Sequence, residues 1–287
     1  MKAVLVGDSH SHSNPVKGLG ASEIASRFRR EGGWFMAILS LNPWSYGIEP
    51  PNLEAYERVV KLVVSECRRA RDAGLKVACF SGFHPADVER LIDRYRIKPE
   101  EVLRLGVKVV SMAARLCREG VLDGIGEVGR QHFKTSPERV AIAMEIAAEA
   151  LLAAEEGCLV QLHLEQGGRI TVETVHRMVD RAGLSTSSRA RIIFHHSTVA
   201  MAEAARSLGY WSTVPGVPKL LDYAAFNVKP VFLVESDFID DPRRPGVVVY
   251  PWVMAAKLRD LASQGAEDWV YKVSVDNVVR VFGVEPP

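Results

Sequence analysis

No Cys-x-x-Cys pair occurs among the four cysteines Cys67, Cys79, Cys117 and Cys158, so a thiolate metal site is not expected. Their apolar or helical neighbours suit reduced, mostly buried thiols. No apolar run reaches the roughly 18 residues that a membrane-crossing helix needs. Charge of one sign is missing as well: 36 Lys+Arg stand against 35 Asp+Glu, a net of +1. That balance excludes a broad basic field for a polyanion and an acidic disordered composition. The opening MKAVLVGDSHSH is too short in apolar residues to read as a signal peptide, so a cytoplasmic protein with no membrane contact is expected. Internal repeats, low-complexity tracts and linkers are also lacking. One domain spanning residues 1–287 is the expectation.

What is present is an alternation of buried-strand and helix patterns. Apolar runs fall at Ala3–Gly7, Phe35–Leu41, Lys76–Ser81, Gly124–Val128, Leu159–Leu164, Arg191–His195, Gly209–Val214 and Val231–Ser236. Near-continuous apolar runs suit parallel strands covered on both faces. Between them, Leu53–Ala73, Glu138–Glu156, Thr171–Ala182 and Thr198–Leu208 carry helical periodicity, each followed by a glycine suited to ending a helix. The C-terminal segment, roughly Pro251–Gly283, reads as helical. Eight such repeats predict an α/β fold of the (β/α)8 TIM-barrel type, with an open doubly wound sheet as the competitor. Segments near Asn42–Asn52 and Asp240–Pro251 read as functional loops.

The chemistry gathers at strand ends. Asp8-Ser-His10-Ser-His12 follows the first run, and residues two apart in extended chain share a face, so His10 and His12 can converge with Asp8 behind them. Glu127 ends the fourth run, His163 the fifth, His195-His196 the sixth, and Asp237 the eighth. Ionisable residues are costly in a core. One could be a satisfied structural residue, but five strand ends delivering His or carboxylate to one barrel face point to an active site. Imidazole and carboxylate suit zinc, with manganese or magnesium as alternatives. The expected site is binuclear: His10, His12 and Asp237 hold one ion, His163 and His195 the other, and Glu127 bridges them. Strand alternation favours His195 over His196 as the ligand.

Other residues carry weaker signals. His84, before Pro85, reads equally as a substrate contact or a capping histidine. Arg130 and His132, with Arg243 and Arg244, are candidate contacts for an anionic group. The bland alternative is loops in which these arginines pair with acids such as Asp240 or Asp241. Trp34, Trp44 and Tyr46 are more often core than pocket.

In this order, the motifs resemble the TatD-related metal-dependent hydrolases of the amidohydrolase superfamily, and within them an archaeal branch of predicted hydrolases. The resemblance runs over nearly the whole chain, through Asp8-Ser-His-Ser-His12, Gly82-Phe-His-Pro85, Gly126-Glu-Val-Gly129, Leu162-His163, His195 and Glu235-Ser-Asp237. It implies a TIM barrel, the same ligand roles residue by residue, and a dual role for Asp237 as ligand and proton relay, with Glu127 as its catalytic partner. Better-known members are metal-dependent deoxyribonucleases. Departures fall at substrate-facing positions: Arg130-Gln131 where nucleases carry Leu-Asp, His195-His-Ser197 in place of His-Cys-Phe, and Glu165 where an Arg is common. The expected function is therefore hydrolysis by metal-activated water, with phosphodiester cleavage leading and nucleic acid or a small molecule as substrate. The alternatives are an amidohydrolase of C–N bonds, either cyclic amidase or deaminase, and a non-catalytic metal-binding protein.

Overall fold

The computed structural model describes residues 4–49, 51–244 and 248–287. Eight strands pair in parallel and in chain order: β1 (Val6–His12), β2 (Gly33–Leu39), β3 (Lys76–Ser81), β4 (Gly124–Gly129), β5 (Leu159–His163), β6 (Ile192–Phe194), β7 (Trp211–Pro215) and β8 (Leu233–Glu235). The ring closes just beyond β8. The Asp237 amide donates to the His10 carbonyl at 3.1 Å, and the His12 amide to the Phe238 carbonyl at 2.8 Å. An open sheet would leave β1 and β8 as separate edges, so this contact decides for the (β/α)8 barrel.

The helices follow from their ends. Helices α1 (Ala21–Arg30) and α2 (Leu53–Asp72) flank β2, and α3 (Pro85–Asp93) and α4 (Pro99–Arg118) fill the β3–β4 connection. Then come α5 (Pro137–Glu155), α6 (Arg169–Arg181), the short α7 (Thr186–Arg189), α8 (Val199–Ser207) and α9 (Pro218–Asn227), followed by α10 (Pro251–Leu261), α11 (Glu267–Tyr271) and α12 (Asn277–Phe282). Asn52, Ser136 and Thr198 cap their helices by accepting a backbone N–H, and prolines open α3, α4 and α5. Gly74, with φ 92°, turns the chain out of α2 in a conformation that costs a side-chain-bearing residue.

Alternation along the strands sorts the core. On β2, Phe35, Ala37 and Leu39 join a cluster with Ala78, Phe80, Ile193 and Leu233, closed by Val278 and Val281 of α12. This is the barrel interior and its floor. Met36 and Ile38 belong instead to the larger cluster shared with the outer helices. The same rule puts Leu159 and Ile193 inside and Val160, Ile192 and Phe194 outside. Carried two residues on, it turns His195 inward.

Two expectations are corrected. The His10–His12 motif lies within β1 rather than after it, because every residue from Val6 to His12 is buried and the strand pairs with β2 both before the motif, at Val6–Asp8, and within it, at Ser11 and His12; Ala3, assigned to that strand, lies outside the described residues. The cysteines are bonded rather than free: Cys67 of α2 to Cys79 of β3, and Cys117 of α4 to Cys158 just before β5, with Cα separations of 6.0 and 6.2 Å. Helix-on-strand packing sets this proximity, which sequence separations of 12 and 41 conceal.

The loop after β8 is clamped from within. Asp240 accepts the backbone N–H groups of Asn14 (2.7 Å), Leu19 (2.7 Å) and Gly20 (3.0 Å). Neighbouring Asp241 pairs with Arg243 at 2.7 Å; Pro245 and Gly246 lie outside the described residues. Asp240→Ala leaves three donors without their acceptor, so a loss of about 3 kcal/mol is expected in urea unfolding. A loss within experimental error would show that water replaces the clamp.

Candidate metal centre

Six side chains predicted as ligands converge at the C-terminal mouth of the barrel. His12 Nε2 lies 3.2 Å and His10 Nε2 3.6 Å from Glu127 Oε1. On the other oxygen, Oε2, His163 Nδ1 lies at 2.6 Å and His195 Nε2 at 3.6 Å. His195 Nε2 is 3.8 Å from Asp237 Oδ1, and atoms of His10, His12 and Asp237 lie within 4.8 Å of one another. Glu127 thus presents one oxygen to each group of histidines. A register irregularity in β4 between Ile125 and Val128 turns it inward although Ile125 and Val128 both face the helices. Gly129 permits the close β4–β5 approach: an added Cβ would collide with the His163 carbonyl.

The histidine nitrogens are sorted by their outer partners. His10 Nδ1 meets Gln161 Oε1 at 2.6 Å, His12 Nδ1 the Leu39 carbonyl at 3.0 Å, and His195 Nδ1 Glu235 Oε2 at 2.7 Å. Each partner is an acceptor, so each Nδ1 carries the proton and each Nε2 presents a lone pair inward. His163 is turned the other way round: its Nδ1–H donates to Glu127 Oε2 at 2.6 Å, and its Nε2 lies 2.9 Å from His132 Nδ1, so a cation held at Nδ1 would take the place of that proton. His84 has the opposite sense. Its Nδ1 accepts the Ala86 N–H at 3.0 Å, so Nε2 carries the proton and points at Glu127 Oε2, 3.5 Å away. It is a donor rather than a ligand.

This arrangement fits a cation. Neutral His10 and His12 would set two lone pairs 3.3 Å apart, a repulsion that a shared positive charge removes. The surroundings call for the same charge. Burial disfavours a charged His10, but Glu127, Glu235 and Asp237 outweigh it and lift its pKa to about 9. Burial likewise opposes ionisation of Glu127, and His84, His10, His12 and His163 hold it well below the usual carboxylate range. Burial raises Asp237 to about 6 and Asp8 to about 7, while it lowers His163 to about 3 and pulls His195 well below an ordinary imidazole. Sites with a hard-to-ionise imidazole beside a firmly ionised carboxylate are suited to metal coordination.

Gln161 and Glu235 were missed as functional residues in the sequence. Each precedes a predicted ligand, His163 or Asp237, by two positions and therefore shares its inward face. Asp8 stands behind the histidines as expected, but it works as a tie, accepting the Ser236 N–H at 2.9 Å and its hydroxyl at 2.6 Å.

Above the centre lies a cavity of about 1000 Å³, whose wall includes His84, His132, His196, Arg90, Arg243 and Arg244. Arg130 is not part of that wall; it pairs with Glu165 at 3.0 Å. Arg90, unremarked in the sequence, stacks 4.5 Å from the Trp44 ring centroid at the cavity edge. Trp34 and Tyr46 are core, at 3% and 4% exposure.

The chain finds a match in a known family. The family model described as TatD related DNase fits residues 7–283. This chain belongs to the TatD-related family. An uncharacterized protein of Methanocaldococcus jannaschii is 26% identical over 99% of this chain and 98% of its own length. A TatD homolog of Escherichia coli K12 superposes with a TM-score of 0.64 at 18% identity, covering 99% of this chain and all of the other. A TatD-like protein of Archaeoglobus fulgidus gives 0.60 at 16% identity, covering 96% and 100%. At such identities these structures speak to the TatD-like fold alone.

Proposed function

We propose that this TatD-family chain is a metal-dependent phosphodiesterase with two divalent ions, zinc foremost. His10, His12 and Asp237 would hold one ion, His163 and His195 the other, and Glu127 both. The observation that carries the reading is the inward convergence of four histidine ring nitrogens on the two oxygens of one buried carboxylate. When bound, such ions supply Lewis acidity that activates water and an ester at neutral pH.

The chain's own groups complete the chemistry. Asp237, with its pKa raised to about 6 by burial, is suited to take a proton and release it. His84 supplies an N–H donor from the opposite wall. At the rim most acids are already paired: Glu89 and Asp93 with Arg139, and Asp241 with Arg243. Among the described residues, Arg90 and Arg244 form no ion pair, so the cavity retains two guanidinium groups for an anionic substrate. Arg243 is the weaker candidate because Asp241 holds it, and Arg130 is weaker still. The cavity admits a small diester or a nucleic-acid end, and the net charge of +1 supplies no track for a long polyanion.

The test compares metal-reconstituted protein on bis(para-nitrophenyl) phosphate and on a cyclic amide. Diester turnover is expected, with Arg244→Ala lowering kcat/KM about tenfold on the diester and leaving a neutral ester unaffected. Robust amide turnover with none of the diester would move the chain to the C–N hydrolases.

A further inference from the structure

Among the described residues of the mouth, His196 is a buried histidine whose Nε2 has no hydrogen-bond partner. It follows His195 with φ 39°, a left-handed conformation that a histidine adopts at a cost and that is commonly retained where a side chain must be aimed. Its neighbour His195 keeps to the barrel interior, so the left-handed turn sends the next ring across the mouth instead of out into the helices. There it lies with its centroid 4.6 Å from that of His163 and 5.4 Å from that of His132, in the cavity wall.

Gln166 fixes its orientation. The Gln166 amide nitrogen donates to the His196 carbonyl at 2.7 Å and approaches Nδ1 at 3.5 Å. A donor facing Nδ1 places the ring proton on Nε2. That Nε2 is buried and has no hydrogen-bond partner, although the residue is only 9% exposed. An aligned N–H that is sheltered from solvent and unsatisfied carries a cost unless something completes it.

We propose that His196 Nε2–H is a substrate-binding donor for a phosphoryl oxygen, seated on the His163 side of the centre and opposite the His84 donor, with Gln166 as its positioning residue. The inference rests on the phosphodiester reading and narrows it: the site recognises a tetrahedral oxyanion through imidazole N–H groups on two walls, in addition to the ions and the rim arginines. A tri-histidine cation site with His132 and His163, whose ligand atoms lie within 4.8 Å of those of His196, is the competing use of the same ring. It would need a lone pair on His196 Nε2, where the Gln166 donor facing Nδ1 places the proton instead.

The experiment uses zinc-loaded full-length protein and three variants. Asparagine tolerates the left-handed backbone but is too short to reach the Nε2 position, so His196→Asn removes the donor without strain. In His196→Gln the amide nitrogen reaches about where Nε2 stood and restores it. Gln166→Leu frees the ring. Calorimetric titration with inorganic phosphate should show affinity falling about tenfold to a hundredfold in His196→Asn, recovering in His196→Gln, and falling less in Gln166→Leu. Diester KM should rise in parallel while zinc stoichiometry is unchanged. Phosphate affinity in His196→Asn within twofold of wild type, or loss of a third zinc ion in that variant, overturns the proposal. If the wild-type protein neither binds phosphate nor turns over the diester, the functional reading itself fails, which is a distinguishable result.

Discussion

Replacing Glu127 by alanine is expected to abolish turnover, by about ten-thousandfold or more, and to lower occupancy of both cation positions together. Among the described residues, Glu127 is the one side chain that meets all four inward histidines, His10 and His12 on one oxygen and His163 and His195 on the other. Elemental analysis reads occupancy directly, and about two ions per wild-type chain are expected. Thermal unfolding gives an independent readout. At an ion concentration about a hundred times Kd, each site adds roughly 2.7 kcal/mol, which for a chain of this size is about 5–10 °C in Tm. Wild-type protein should gain this on adding zinc and lose it with a chelator, and the Glu127→Ala protein should show little of either. Full occupancy of both positions in the variant would remove Glu127 from the bridging role; a wild-type chain holding under half an ion, with no thermal response, would remove the metal centre altogether.

The second large effect separates the two adjacent histidines of the sixth strand. His195→Ala should eliminate activity by about a thousandfold or more and weaken one ion selectively, whereas His196→Asn should retain both ions and much of its kcat. The distinction follows from the acceptor behind His195. Its Nδ1 is fixed by Glu235 at 2.7 Å, and it stacks on His10 with centroids 3.5 Å apart, so its Nε2 has a single direction. Glu235→Leu should therefore mimic part of the His195 loss: metal affinity falls about ten- to hundredfold, with kcat recovering at saturating zinc. A Glu235→Leu protein with unchanged metal affinity, or a His196 variant more damaged than His195→Ala, would overturn this assignment.

Local chemistry in the sequence determined the elements and the candidate ligands. Glycines marked helix ends because backbone conformation is a local property, and runs such as Phe35–Leu41 marked strands because both faces of a parallel barrel strand are covered. His and carboxylate at the ends of these runs named the residues that gather at the mouth, since strand direction and chirality leave their C-terminal ends on one face. Tertiary structure alone decided what depends on neighbours distant in the chain. Ring closure through His10 and Asp237, the pairing of Cys67 with Cys79 and of Cys117 with Cys158, the seizure of Arg130 by Glu165, and the choice of which imidazole nitrogen faces inward all arise between elements that the sequence lists far apart. The tautomers show this most sharply: His10, His12 and His195 look alike in the chain, and only Gln161, the Leu39 carbonyl and Glu235, each supplied by another strand, turn their lone pairs toward Glu127.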